Sequence, residues 1–191
     1  VIAPYYNKPT QEGLYQHFKT AAAAADIPIV LYNVPGRTVS DIEPATVARV
    51  ARDVPNVVGI KDASADLVRM WRHRTTIERD FSYVSGEDAT ILGFRAYGGN
   101  GCISVTSNVA PRLCALFHAA CDAGDYTEAG RLNDLLMPLH GALFIETSPA
   151  PVKYALARLG MCDAEMRLPM VPVSADAAAQ VDAALAHAEL L

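Results

Sequence analysis

The residue with the most direct chemical potential is a lysine. Lys61 follows Val57-Val58-Gly59-Ile60, a run without a polar side chain. An amine at the end of such a run is expected to be partly desolvated, which favours the neutral nucleophile, and a neutral amine facing a carbonyl compound forms a Schiff base. Two tyrosines bear on it. Tyr6 and Tyr32 are 26 residues apart, and Tyr32 and Lys61 are 29 apart. Each interval has the length of one strand–helix unit, so the three can converge on one mouth. A phenol beside a Schiff base can relay protons. Arg37, in the turn after Tyr32-Asn33-Val34-Pro35-Gly36, offers a planar fork to a carboxylate. Each has an ordinary alternative when taken alone. The lysine head could reach water at the rim of a sheet, the tyrosines could be packing aromatics, and Arg37 and Asp62 could be surface charges. Their combination carries the argument.

Other chemistries find little support. The histidines (His17, His73, His118, His140, His187) are scattered and form no H-E-x-x-H or H-x-x-x-H pattern, so no metal is expected. There is no G-x-x-x-x-G-K-[ST] and no G-x-S-x-G, and Gly98-Gly99-Asn100-Gly101 reads as a helix stop before a strand. Cys102, Cys114, Cys121 and Cys162 form no C-x-x-C pair and are expected as reduced thiols in a cytosolic setting, with Cys114 and Cys121 on one buried helix face. The net charge is 16 − 21 = −5, with no basic run, which gives no footprint for nucleic acid or an anionic membrane. No apolar run approaches the roughly 18 residues of a spanning helix. Hydrophobic residues at 51% and charged ones at 19% support a packed core.

The elements that must position these residues follow from the hydrophobic pattern. Continuous apolar runs at 1–5, 28–32, 57–61, 81–85 and 102–105 predict strands buried on both faces, as in parallel sheets. Amphipathic stretches at 11–25, 44–53, 67–79 and 88–97 predict the helices between them. Helices are then predicted at 110–123, 126–145 with a kink at Pro138, 151–159 and 175–190. The reading is α/β, with residues 1–123 a partial TIM (β/α)8 barrel and residues 124–191 a C-terminal helical domain. A doubly wound sheet also fits the successive βα units, but a complete barrel needs eight strands and about 250 residues, so five units and a helical tail match a barrel lacking its first three. The chain begins with Val1, in what reads as the tail of a strand, so a piece of a longer chain is expected. Functional groups of either fold gather at the C-terminal ends of strands, where Tyr6, Tyr32 and Lys61 are placed.

Pro4-Tyr5-Tyr6-Asn7-Lys8-Pro9, Tyr32-Asn33-Val34-Pro35-Gly36-Arg37-Thr38, Gly59-Ile60-Lys61-Asp62-Ala63 and Gly101-Cys102-Ile103-Ser104-Val105 closely resemble the dihydrodipicolinate synthase family of the pyruvate-dependent class I aldolases. Leu136-Met137-Pro138-Leu139-His140 and Arg167-Leu168-Pro169-Met170 extend the resemblance over the whole chain. It implies a cofactor-free, metal-free condensation of pyruvate with aspartate semialdehyde in the cytoplasm, on the route to lysine and diaminopimelate. By the same likeness Lys61 forms the Schiff base and Tyr32 donates and accepts protons. Tyr6 joins that relay from a neighbouring subunit of a homotetramer. Arg37 would hold the semialdehyde carboxylate, Ile103 and Gly86 would line bound pyruvate, and Tyr5 is what matches a lysine-inhibition site. A Gly-Thr-Thr-Gly-Glu motif of the family, which holds the pyruvate carboxylate, is absent. Little turnover is therefore expected of this chain alone. A sister aldolase, acting on N-acetylneuraminate or a 2-keto-3-deoxy sugar acid, is the alternative activity, and a non-catalytic fragment or pseudoenzyme the alternative outside catalysis.

Overall fold

The computed structural model describes all 191 residues, which form two compact units, Val1–Ile103 and Ser104–Leu191. The first is α/β. Its strands β1 (Ile29–Asn33), β2 (Val57–Asp62), β3 (Ser82–Ser85) and β4 (Gly101–Cys102) form a parallel sheet in the order β1-β2-β3-β4. The register sets Tyr32 beside Lys61 and Asn33 beside Asp62. Ile29 and Leu31 of β1 pair with Val57 and Ile60 of β2 and are buried on one face, whereas Val30, Tyr32 and Lys61 on the other are half-buried, so the burial on both faces expected of these strands is not met.

The helices of this unit are α1 (Gln11–Ala23), α2 (Pro35–Thr38), α3 (Pro44–Asp53), α4 (Leu67–Thr76) and α5 (Ile91–Ala96). Thr10 caps α1 by accepting from the Gly13 N–H at 3.2 Å, and Asp66 caps α4 through the Val68 N–H at 2.9 Å. Leu14 and Phe18 of α1 and Val47 and Val50 of α3 are fully enclosed, each worth roughly 1.5–3 kcal/mol on the usual burial scale. Helix α4 stops at Thr76, short of the expected 79. The hydroxyls of Thr75 and Thr76 bond back to carbonyls of the preceding turn, and Ile77 is extended.

Two expected strands are largely lost. Of residues 1–5 only an isolated bridge from Ile2 to Tyr32 remains, with Tyr32 N–H donating to Val1 O at 2.7 Å and Ala3 N–H to Tyr32 O at 3.0 Å. Pairing ends there because Pro4 has no N–H and Tyr6 and Lys8 are left-handed, at φ 66° and 46°. The run 102–105 pairs only at its start. Ile103 N–H still donates to Ser85 O at 2.9 Å, but Val105 is helical and leads into a 3-10 turn at Thr106–Asn108.

The second unit is helical: α6 (Pro111–Asp122), α7 (Tyr126–Ala142), α8 (Ala150–Arg158) and α9 (Ala175–His187). The compact units thus divide ahead of the 123/124 boundary drawn from sequence, because α6 packs on α7. Cys114 and Cys121 are both buried on α6. Helix α7 continues through Pro138, which leaves the Asp134 carbonyl without its usual helical donor, and the His187 ring nitrogen Nε2 lies 3.4 Å from that oxygen. No helix is long and apolar enough to cross a membrane.

Of the five left-handed non-glycine residues, Tyr6, Lys8, Val39, Ala65 and Glu189, only Val39 is β-branched. It ends α2 at φ 54° and is 64% exposed. A β-branched residue there costs about 1–2 kcal/mol. Val39→Gly is expected to gain about 0.5–1 kcal/mol after allowing for the freer unfolded chain, seen as a higher urea midpoint at unchanged m.

Candidate active site

The site is built at the C-terminal ends of β1, β2 and β3. Successive strand residues point to opposite faces, so the Tyr32–Lys61 pair and the Asn33–Asp62 pair look in opposite directions. The Lys61 ammonium lies over the Tyr32 ring, 4.1 Å from its centroid. That is within the roughly 6 Å of a cation–π contact, and both side chains are half-buried. Gly86, just past β3, closes the other flank. Its N–H donates to Asp62 O at 2.7 Å, and a Cβ added there would lie 2.8 Å from Lys61 Cε and 2.7 Å from Ala63 Cβ. Gly86→Ala is therefore expected to push Lys61 off the Tyr32 face, slowing amine chemistry at Lys61 about tenfold or more. Peptide-mapped labelling of Lys61 against Lys19 and Lys153 in the same molecule would measure it.

The other expected residues are placed less tightly. Arg37 sits on α2 and is exposed, on a short helix rather than in a turn. Ile103 continues the β4 line with its side chain 55% exposed. Tyr6 is 85% exposed and Tyr5 71%, so neither ring packs on Lys61. The structure thus brings Lys61, Tyr32 and Gly86 into contact and leaves Arg37, Tyr5, Tyr6 and Ile103 open to solvent.

Behind this face lies a second cluster. Asp62 accepts from Arg69 Nε at 3.1 Å, from the Ser64 N–H at 2.8 Å and, more loosely, from Asn33 Nδ2 at 3.4 Å. Arg69 also donates to Asp41 at 3.0 Å and to Ile42 O at 2.6 Å. Asn33 donates to Asp41 at 2.8 Å and accepts from the Ile42 N–H at 3.0 Å. His73 is enclosed beside them, its Nε2 3.8 Å from Asp62. No group of histidine, cysteine and carboxylate side chains is arranged to hold a metal ion.

The model of the dihydrodipicolinate synthetase family matches residues 1–188. The chain belongs to that family. The 4-hydroxy-tetrahydrodipicolinate synthase of Rhodospirillum centenum is 58% identical over all 191 residues, which cover 65% of that relative. Dihydrodipicolinate synthase from Thermotoga maritima superposes with a TM-score of 0.97 at 43% identity, over the whole of this chain and 66% of the other. A pyruvate complex of the Acinetobacter baumannii enzyme gives 0.95 at 42% identity, again over the whole chain and 65% of the other. The chain spans about 65% of the length of the curated relatives it matches.

Asp62 is not the surface charge its position beside Lys61 allowed: it is 8% exposed and lies on the opposite face. Burial alone would raise its pKa. The His73 ring, the Ser64 N–H and the Arg69 charge outweigh burial and hold the carboxyl well below the usual carboxylate range. A depressed folded-state pKa contributes stability above the unfolded value near 3.8, and this is lost as pH falls toward the folded value. The urea midpoint is thus expected to drop as pH falls from about 4 toward the depressed folded value, and less steeply in Asp62→Asn, which has already forfeited the contribution. Asn33, Asp41 and Arg69 were missed by the sequence reading. The available signal was a charged residue, Arg69, on the same buried helix face as Met70 and His73.

Proposed function

We propose that this chain supplies the reacting lysine and tyrosine of a 4-hydroxy-tetrahydrodipicolinate synthase. The observation that carries the reading is the Lys61 ammonium held 4.1 Å over the Tyr32 ring at adjoining strand ends. Family membership and the pyruvate bound by a relative support the substrate. Lys61 Nζ adds to the keto carbon of pyruvate, and the carbonyl oxygen leaves as water, giving an iminium. Loss of a methyl proton gives the enamine, whose terminal carbon bonds to the aldehyde carbon of aspartate semialdehyde as the aldehyde oxygen takes up a proton. Attack of the semialdehyde's own amine on the iminium carbon closes the ring and releases Lys61. The Tyr32 phenol gives and takes the protons, with Tyr6 continuing the relay across a subunit contact, which suits its exposed ring. Arg37 holds the semialdehyde carboxylate, and Gly86 and the Ile103 backbone line the pyruvate. Tyr5 belongs to a site for inhibitory lysine. No metal or cofactor takes part.

On this reading the parallel sheet is the later part of a (β/α)8 barrel in a cytoplasmic homo-oligomer. The 191 residues alone turn over slowly or not at all, since the units that hold the pyruvate carboxylate in the family lie outside them. Borohydride trapping with pyruvate, read by peptide mass spectrometry, tests this on the chain and on a version extended to the length of its relatives. A reduced adduct on Lys61 in the extended protein supports the reading. No adduct there would remove it. Rapid turnover by the 191 residues would sink the expectation for the chain alone, and a preference for a sugar acid over aspartate semialdehyde would assign a sister aldolase.

A further inference from the structure

Arg69 comes from α4, well outside the strands that carry the site, yet its side chain is only 9% exposed. It ends in three acceptors: Asp62 on β2, Asp41 and the Ile42 carbonyl on the segment after α2. Asn33 of β1 is tied into the same cluster through Asp41, Asp62 and the Ile42 N–H. Each of these partner residues adjoins a residue or element of the candidate site in the chain. Asn33 follows Tyr32, Asp62 follows Lys61, and Asp41 and Ile42 follow the turn of helix that carries Arg37. A planar guanidinium with donors in fixed directions therefore ties two backbone segments, β2 and residues 41–42, from behind, and Asn33 joins β1 to both. A lysine, a single ammonium on a flexible stem, lacks the fixed fork that meets these three acceptors.

We propose that Arg69, acting with Asp62, Asp41 and Asn33, is the positioning device that sets the Lys61 amine against Tyr32. It works through the backbone: the cluster locks the β1–β2 register at the last rung, Asn33–Asp62, and the opposite-facing Tyr32 and Lys61 on the preceding rung inherit the placement. It touches no reacting atom, so Arg69 is a positioning residue. The inference rests on reading Lys61 and Tyr32 as the reacting pair.

The test uses the chain extended to the length of its relatives and the variants Arg69→Met, Arg69→Lys and Asp41→Asn. Two quantities are read at Lys61. One is the limiting rate of borohydride trapping at saturating pyruvate. The other is acetic anhydride labelling of Lys61 relative to Lys19 and Lys153 in the same molecule, which general loosening would move together. In Arg69→Met the limiting rate is expected to fall about tenfold with half-saturating pyruvate within about twofold, and the labelling ratio to change in step. Arg69→Lys should recover part of the loss, and Asp41→Asn should show a smaller one. Wild-type values of both quantities in a folded Arg69→Met protein would overturn the proposal. Should that variant fail to fold, Asp41→Asn decides, because the Asp41 side chain is 44% exposed and its loss leaves the core intact. If wild-type Lys61 takes no pyruvate, the functional reading falls, and the labelling ratio alone still decides the positioning role.

Discussion

Replacing Lys61 by methionine is expected to remove the borohydride-trapped pyruvate adduct and to lower the condensation rate at least about 10³-fold in the extended protein. The substitution keeps an unbranched stem of similar length, so the packing beside Gly86 survives while the cation over the Tyr32 ring goes with the amine, and the sheet should fold normally. Only the amine is lost, and within the first unit the other lysines are placed elsewhere, Lys8 ahead of the sheet and Lys19 on α1. Lys61→Arg sharpens the test, since it keeps a cation over the ring but cannot form an imine with a ketone. Adduct formation at wild-type rate in Lys61→Met, on any residue, would refute a Schiff base at this position.

Tyr32→Phe should reduce the maximal rate about 10²- to 10⁴-fold, the usual yield of a positioned proton donor, while pyruvate half-saturation changes little. Phenylalanine preserves the ring under the ammonium, so the lysine stays where it is and the hydroxyl alone is subtracted. Steady-state rates together with single-turnover trapping separate the two roles. If Tyr32 only cradles Lys61, phenylalanine will be nearly silent. If it moves protons, iminium formation and later steps slow while binding holds.

The register of the site was readable because it follows from repetition. Lys61 and Tyr32 each close an apolar run, one βα unit apart, and parallel neighbours with that spacing meet at their ends. The helices with strong caps or an opening proline, α1 and α3, were also legible, since Thr10 and Pro44 act locally. What was not legible depends on partners remote in sequence. Arg69 reads as one of several basic residues on α4, alongside Arg72 and Arg74. Only Asp62, Asp41 and Ile42, arriving from two other segments, make it the buried one. The left-handed turn at Tyr6 was similarly hidden, because aromatic residues favour strands and the run 1–5 looked like one.

The strand order also bears on how the protein is made. In the sheet β1-β2-β3-β4 each of β2, β3 and β4 lies beside the strand before it in sequence. A nascent chain that has emerged through Ile103 already contains these four strands, Lys61, Tyr32 and the whole Arg69 cluster. Nothing in the pairing waits for the helices translated afterwards. The first unit can thus lay down its sheet in the direction of translation, and the lysine meets its tyrosine while the ribosome is still reading the second unit.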